Sequence, residues 1–85
     1  MSYGMGVVYS DTSVDSTANT VSINHHTTCI HFINLHASTN ATVKLNGGPH
    51  EVLIPAGKNY VEVEGDYTSF QVMTAGVTLA VFAIG

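Results

Sequence analysis

Four of the five histidines and the only cysteine fall within twelve residues: His25, His26, Cys29, His31 and His36. Imidazole and thiolate are the donors from which zinc and copper sites are built. In an extended segment, Cys29 and His31 point to the same face, about 7 Å apart along a strand that rises about 3.3 Å per residue. They could begin a metal site. His36 faces the opposite way, and His50 is far off in sequence. A tetrahedral site would need His25 or His26 to fold back from a neighbouring strand. Histidines on strands more often serve without a metal, so no metal or cofactor is expected.

Other chemistry finds less support. Cys29, flanked by Thr28 and Ile30, reads as a small buried hydrophobe. Nothing marks one serine as an exposed nucleophile. Glu62 and Glu64 share a strand face, where paired carboxylates could do acid–base work, but a polar outer face is the simpler reading. Gly47-Gly48 precedes no helix and reads as a hairpin turn, not a phosphate cradle. The segment Leu53-Ile54-Pro55-Ala56-Gly57-Lys58 resembles the strand and turn of cupins. Cupins carry a His-x-His pair, however, and the pairs here are His25-His26 and Cys29-x-His31. The chain is therefore expected not to be an enzyme.

Composition narrows the partners. Lys44 and Lys58 are the only basic residues, against six acidic ones, and charged residues make up 9% of the 85, where about 25% is usual. Two lysines cannot neutralise a run of phosphates, so nucleic acid is excluded, and anionic membranes are disfavoured for the same reason. No stretch approaches the roughly 20 apolar residues of a membrane helix. The first eight residues lack the basic start and apolar run of a secretory signal. An 85-residue chain has a marginal core of its own, and a single cysteine excludes an internal disulfide. Oligomerisation is the remaining usual remedy.

The elements that must position these groups are strands. No window has helical apolar spacing with a cap, while β-branched residues abound and turn residues recur every 8 to 12 positions or so. Residues 1–20 read as an N-terminal arm or loop with a short strand at Met5 to Tyr9, and residues 21–85 as the β domain. Val21 to His25, Thr28 to Ala37, Ala41 to Leu45, His50 to Ile54, Tyr60 to Glu64 and Ser69 to Thr74 follow as strands. Asn46-Gly47-Gly48-Pro49 is the strongest turn signal. Within Thr28 to Ala37 the apolar face switches near Phe32-Ile33, which implies cover on both sides or a bulge. The expected fold is all-β: a single antiparallel sandwich or small barrel of seven or eight strands, joined mostly by hairpin turns.

The last strand is the most informative. Val77, Leu79, Val81 and Ala83 share one face, and Ala80, Phe82 and Ile84 the other, with Thr78. A surface strand of a small antiparallel protein should alternate apolar and polar residues. Something must cover the second face, and another copy of the chain is the simplest candidate. The expected interface is Val77, Leu79, Ala80, Phe82 and Ile84, joined by Tyr3 and Met5 of the arm. Within it, Phe82 and Ile84 are the best outward candidates, since the Val77-Leu79-Val81 face continues the parity of the preceding strand toward the core.

From Ala41 to Gly85 the order is a strand, the Asn46-Gly47-Gly48 turn, Leu53-Ile54-Pro55-Ala56-Gly57, Tyr60-Val61-Glu62-Val63-Glu64-Gly65, Thr68-Ser69-Phe70-Gln71-Val72, and a small-residue apolar strand. This half of the chain resembles small β-sandwich structural proteins of tailed bacteriophages, particularly head decoration or cement proteins. The resemblance implies a non-enzymatic virion protein, often trimeric, that bridges subunits of the major capsid protein. It transfers no individual functional residue, because such proteins work by surface complementarity. A tail, neck or fibre component, or a carbohydrate-binding sandwich using Tyr3, Tyr9, Tyr60 or Tyr67, are the alternatives.

Overall fold

The computed structural model describes residues 6–85, in which eight strands form two antiparallel sheets of four. The strands are β1 (Val7–Val14), β2 (Thr20–Ser22), β3 (Cys29–Asn34), β4 (Ala41–Leu45), β5 (Glu51–Ile54), β6 (Tyr60–Glu64), β7 (Ser69–Val72) and β8 (Leu79–Ile84). A single 3-10 turn, Ser16–Ala18, joins β1 to β2, with the Asp15 carboxylate accepting from the Thr17 amide at 3.0 Å. Tyr3 and Met5 lie outside the described residues.

Sheet A runs β1-β8-β3-β6 and sheet B runs β2-β7-β4-β5. Strand β1 pairs with β8, β2 with β7, β3 with β6 and β4 with β5. That is one long four-rung hairpin rolled into two sheets, the jelly-roll form of a β-sandwich. Its tip is the expected Asn-Gly turn. Asn46 and Gly47 take φ of 53° and 66°, and the Gly48 amide donates to the Leu45 carbonyl at 3.0 Å. Two successive positive φ values suit the twist of a tight hairpin.

The connections differ from expectation. Only β4 and β5 are consecutive strands that pair with each other, and every other connection between described strands crosses from one sheet to the other. A short turn does not announce whether the chain returns beside itself or climbs to a second sheet, about 10 Å away. The polar stretch from Ser10 also differs. It continues β1 as far as Val14, at the edge of sheet A, with register breaks between Val7 and Tyr9 and between Asp11 and Val14. The first break lets both Val8 and Tyr9 pack on the core while Val7 stays outside. A bulge does this by opposing two residues to one.

The core lies between the sheets. Ile30, Phe32, Ala41, Val43, Ile54, Phe70, Leu79 and Ala83 are fully buried. Phe70 meets Phe32 and Tyr9 edge-to-face, with centroids 5.7 and 5.8 Å apart. Asn34 is buried beside them with its hydrogen bonds satisfied: its amide donates to the Thr39 and Ile54 carbonyls, and its oxygen accepts from the His36 amide. Strand β3 has no bulge against β6 or β8, so the switch of apolar face at Phe32-Ile33 reflects cover on both sides.

Candidate functional site: the outer face of sheet A

The two outward faces of the sandwich differ in kind. On sheet B the outward register aligns Thr20, Gln71, Lys44 and Glu51, with Ser22 beside Ser69. This is the solvated face that an antiparallel sheet usually presents, with one apolar exception, Leu53, 54% exposed opposite Thr42. On sheet A the outward rows are Val7-Ile84-Cys29-Glu64, then Ser10-Phe82-His31-Glu62, then Ala80-Ile33-Tyr60. Aliphatic and aromatic groups fill its middle, and the two glutamates stand at the β6 edge.

The expected interface residues from Val77 to Ile84 divide between the two sides of this last segment. Val77 and Leu79 are buried in the chain's own core with Val81 and Ala83, so they are corrected from interface to core. Ala80, Phe82 and Ile84 do face outward and are half-buried. Their cover is lateral: Phe82 stacks on the His31 ring at 4.6 Å and 9°. Ile84 lies between Val7 and Cys29. Val7, 63% exposed, and Tyr60, 52% exposed, extend the patch toward both edges. Val7 belongs to the short strand expected at Met5 to Tyr9, but it was not among the residues expected at the interface.

At the centre of this face stands the Cys29–His31 pair. Both side chains are buried, and Cys29 Sγ lies 3.3 Å from His31 Nε2. The other ring nitrogen, Nδ1, meets the Tyr60 hydroxyl. Glu62, directly across from His31 on β6, brings a carboxylate oxygen to the same place. The donor atoms of Cys29, His31 and Glu62 all lie within 4.8 Å of one another. Burial pushes the Cys29 thiol up from its ordinary range, and the Glu62 carboxylate adds to the rise. A thiol so placed is held protonated and is a poor nucleophile. Burial likewise raises the Tyr60 phenol, with the Glu62 charge second.

The remaining histidines are engaged elsewhere. His26 Nδ1 contacts Asp66 at 2.7 Å, and His25 Nδ1 contacts the His26 carbonyl at 2.6 Å. Both border a polar cleft of about 360 Å³ with Ser22, Asn24, Thr68 and Ser69. His36 Nδ1 accepts the Ser38 and Thr39 amides, which ties the loop after β3. His50 lies on a second cleft, of about 250 Å³, beside Leu45, Val52, Val63 and Tyr67. The fold-back of His25 or His26 onto Cys29-x-His31 therefore does not occur, and Glu62 takes the place expected of them. The alternation of Tyr60, Glu62 and Glu64 already put the three on one face. Only the β3–β6 register, set by non-local pairing, puts Glu62 beside His31.

No family model, curated protein or solved structure matches this chain.

Proposed function

We propose that this chain is a non-enzymatic structural protein of a virion, of the head-decoration type, which assembles with further copies of itself through the outer face of sheet A and rests on the major capsid protein. One observation carries the assembly part: the outward face of sheet A has a continuous apolar stretch, Val7-Ile84 beside Phe82 and Ala80-Ile33, whereas on sheet B the exposed Leu53 lies among polar neighbours, opposite Thr42. A patch of this kind on a small soluble domain marks an interaction surface. The virion part is supported by the resemblance of residues 41–85 to phage decoration proteins. The jelly roll agrees with it, being an architecture that viral capsid domains share with lectins and cupins. Fold alone does not decide between these.

Magnitudes favour many weak contacts over one strong one. Covering about 400 Å² of apolar surface per copy contributes about 10 kcal/mol at about 25 cal/mol per Å². Association costs about 4 to 15 kcal/mol. A single contact is therefore marginal, and a closed ring or a shell that engages several at once becomes durable. The scarcity of charge suits such a surface, since little must be desolvated when it is covered.

The test is to purify virions from the source of this sequence and quantify the chain by mass spectrometry. A copy number that is a fixed fraction of the major capsid protein, with particles that lose heat resistance when the gene is deleted, supports the proposal. Absence of the chain from purified particles would overturn the virion reading.

A further inference from the structure

We propose that Cys29, His31 and Glu62 form a three-ligand zinc site on the outer face of sheet A. The donor set is one sulfur, one nitrogen and one oxygen, gathered within 4.8 Å. At usual zinc bond lengths of about 2.3 Å to sulfur and 2.0 to 2.1 Å to nitrogen, two ligands of a tetrahedron sit about 3.5 Å apart. Cys29 Sγ and His31 Nε2 are already 3.3 Å apart. Glu62 is exposed, and its carboxylate already lies within 4.8 Å of both partners.

The surroundings orient these ligands as a metal centre requires. Metal-binding histidines usually give their second ring N–H to an oxygen acceptor, which fixes the tautomer and the ring plane. The Tyr60 hydroxyl occupies that position at His31 Nδ1, leaving Nε2 directed at the sulfur. Phe82 stacked on the imidazole removes its remaining freedom. Cys29 and His31 are held by β3, which is paired on both sides through these residues, so their spacing is rigid.

The charge count selects the ion. Once the metal displaces the Cys29 proton, one thiolate, one carboxylate and one neutral imidazole balance a divalent cation. Sulfur disfavours magnesium and calcium, while the nitrogen and oxygen donors suit zinc better than copper(I). Three protein ligands would leave a fourth position of a tetrahedral zinc for water or another ligand. This site stands independently of the assembly proposed above: the zinc reading can fail with the interface intact, and the reverse.

The experiment is a zinc titration of the chelator-stripped full chain against a chromophoric competitor, with cobalt(II) as a spectroscopic probe. The expected result is one equivalent bound with submicromolar affinity and a thiolate-to-cobalt charge-transfer band in the near ultraviolet. Cys29→Ser should abolish the band. Glu62→Gln changes an exposed residue and leaves the fold measurable by circular dichroism; it should weaken zinc at least about tenfold. Tyr60→Phe should weaken it about 10- to 100-fold, as loss of an outer-shell partner does. The double variant His25→Asn/His26→Asn should bind as the parent does. Failure of the parent chain to bind submicromolar zinc would overturn the proposal. So would binding unaffected by Glu62→Gln and Cys29→Ser, or binding lost with His25 and His26.

Discussion

Asp66 holds a corner of the sandwich together. One carboxylate oxygen accepts the Thr27 amide at 3.0 Å and the other meets His26 Nδ1 at 2.7 Å. Thr27, buried beneath it, accepts the Tyr67 amide through its hydroxyl and reaches the Gly65 and Tyr67 carbonyls. The Thr27 hydrogen bond, then that from His26, lower the Asp66 carboxyl below its ordinary value of 3.8. The sign follows from linkage. A carboxyl depressed on folding stabilises the native state above its unfolded pKa, and that contribution is lost as pH falls through the lower folded value. Urea midpoints measured from pH 5 down to pH 2 should therefore fall, and fall less steeply in Asp66→Asn. Equal slopes would remove Asp66 from the acid response. Gly65, next in the same corner, has φ of 143°, and a Cβ there would lie 2.6 Å from the Tyr67 ring. Gly65→Ala should cost stability on both counts, by about 1 to 3 kcal/mol. Gly6→Ala, where a Cβ meets nothing, should be neutral, and equal effects of the two would contradict this account.

At the scale of elements, what the sequence discloses depends on how local the cause is. Tyr60 to Glu64 and Ala41 to Leu45 alternate because each has one face on the core, and both form strands with those faces. The Asn46-Gly47 turn is equally local. The two-sided character of the last strand is also written in its residues: one parity is core, and the other is the outward row of Ala80, Phe82 and Ile84. The second half of β1 was hidden because Ser10, Asp11, Thr12 and Ser13 carry no apolar alternation. Its existence rests on hydrogen bonding to β8, at the far end of the sequence. Pairings so distant leave no local mark, and neither does the meeting of Glu62 with His31. Strand β7 shows the energetic side. Phe70, fully buried between Phe32 and Tyr9, locks the two sheets. Phe70→Ala should lower unfolding free energy by about 3 to 5 kcal/mol in urea titrations. A loss below about 1 kcal/mol would mean that the aromatic contacts do not hold the sheets together.

For the whole molecule, the jelly roll divides labour between its sheets. Both give their inner faces to one core, and they differ outside. Sheet B ends mainly in hydroxyls, amides and the Lys44–Glu51 pair, with Leu53 exposed among them. Sheet A ends in an apolar row crossed by Cys29, His31 and Glu62. In the assembly proposed above, sheet A is the face that meets neighbouring subunits. Sedimentation velocity across a wide concentration range, on the full chain and on Val7→Asp and Phe82→Asp, tests this most directly. Val7 is 63% exposed, so its replacement leaves the core untouched and isolates the surface effect. The account predicts reversible self-association of the parent chain that both variants weaken at least about tenfold, with Val7→Asp keeping the parent's melting temperature. A parent chain that stays monomeric at every concentration, or variants that associate as the parent does, would contradict it.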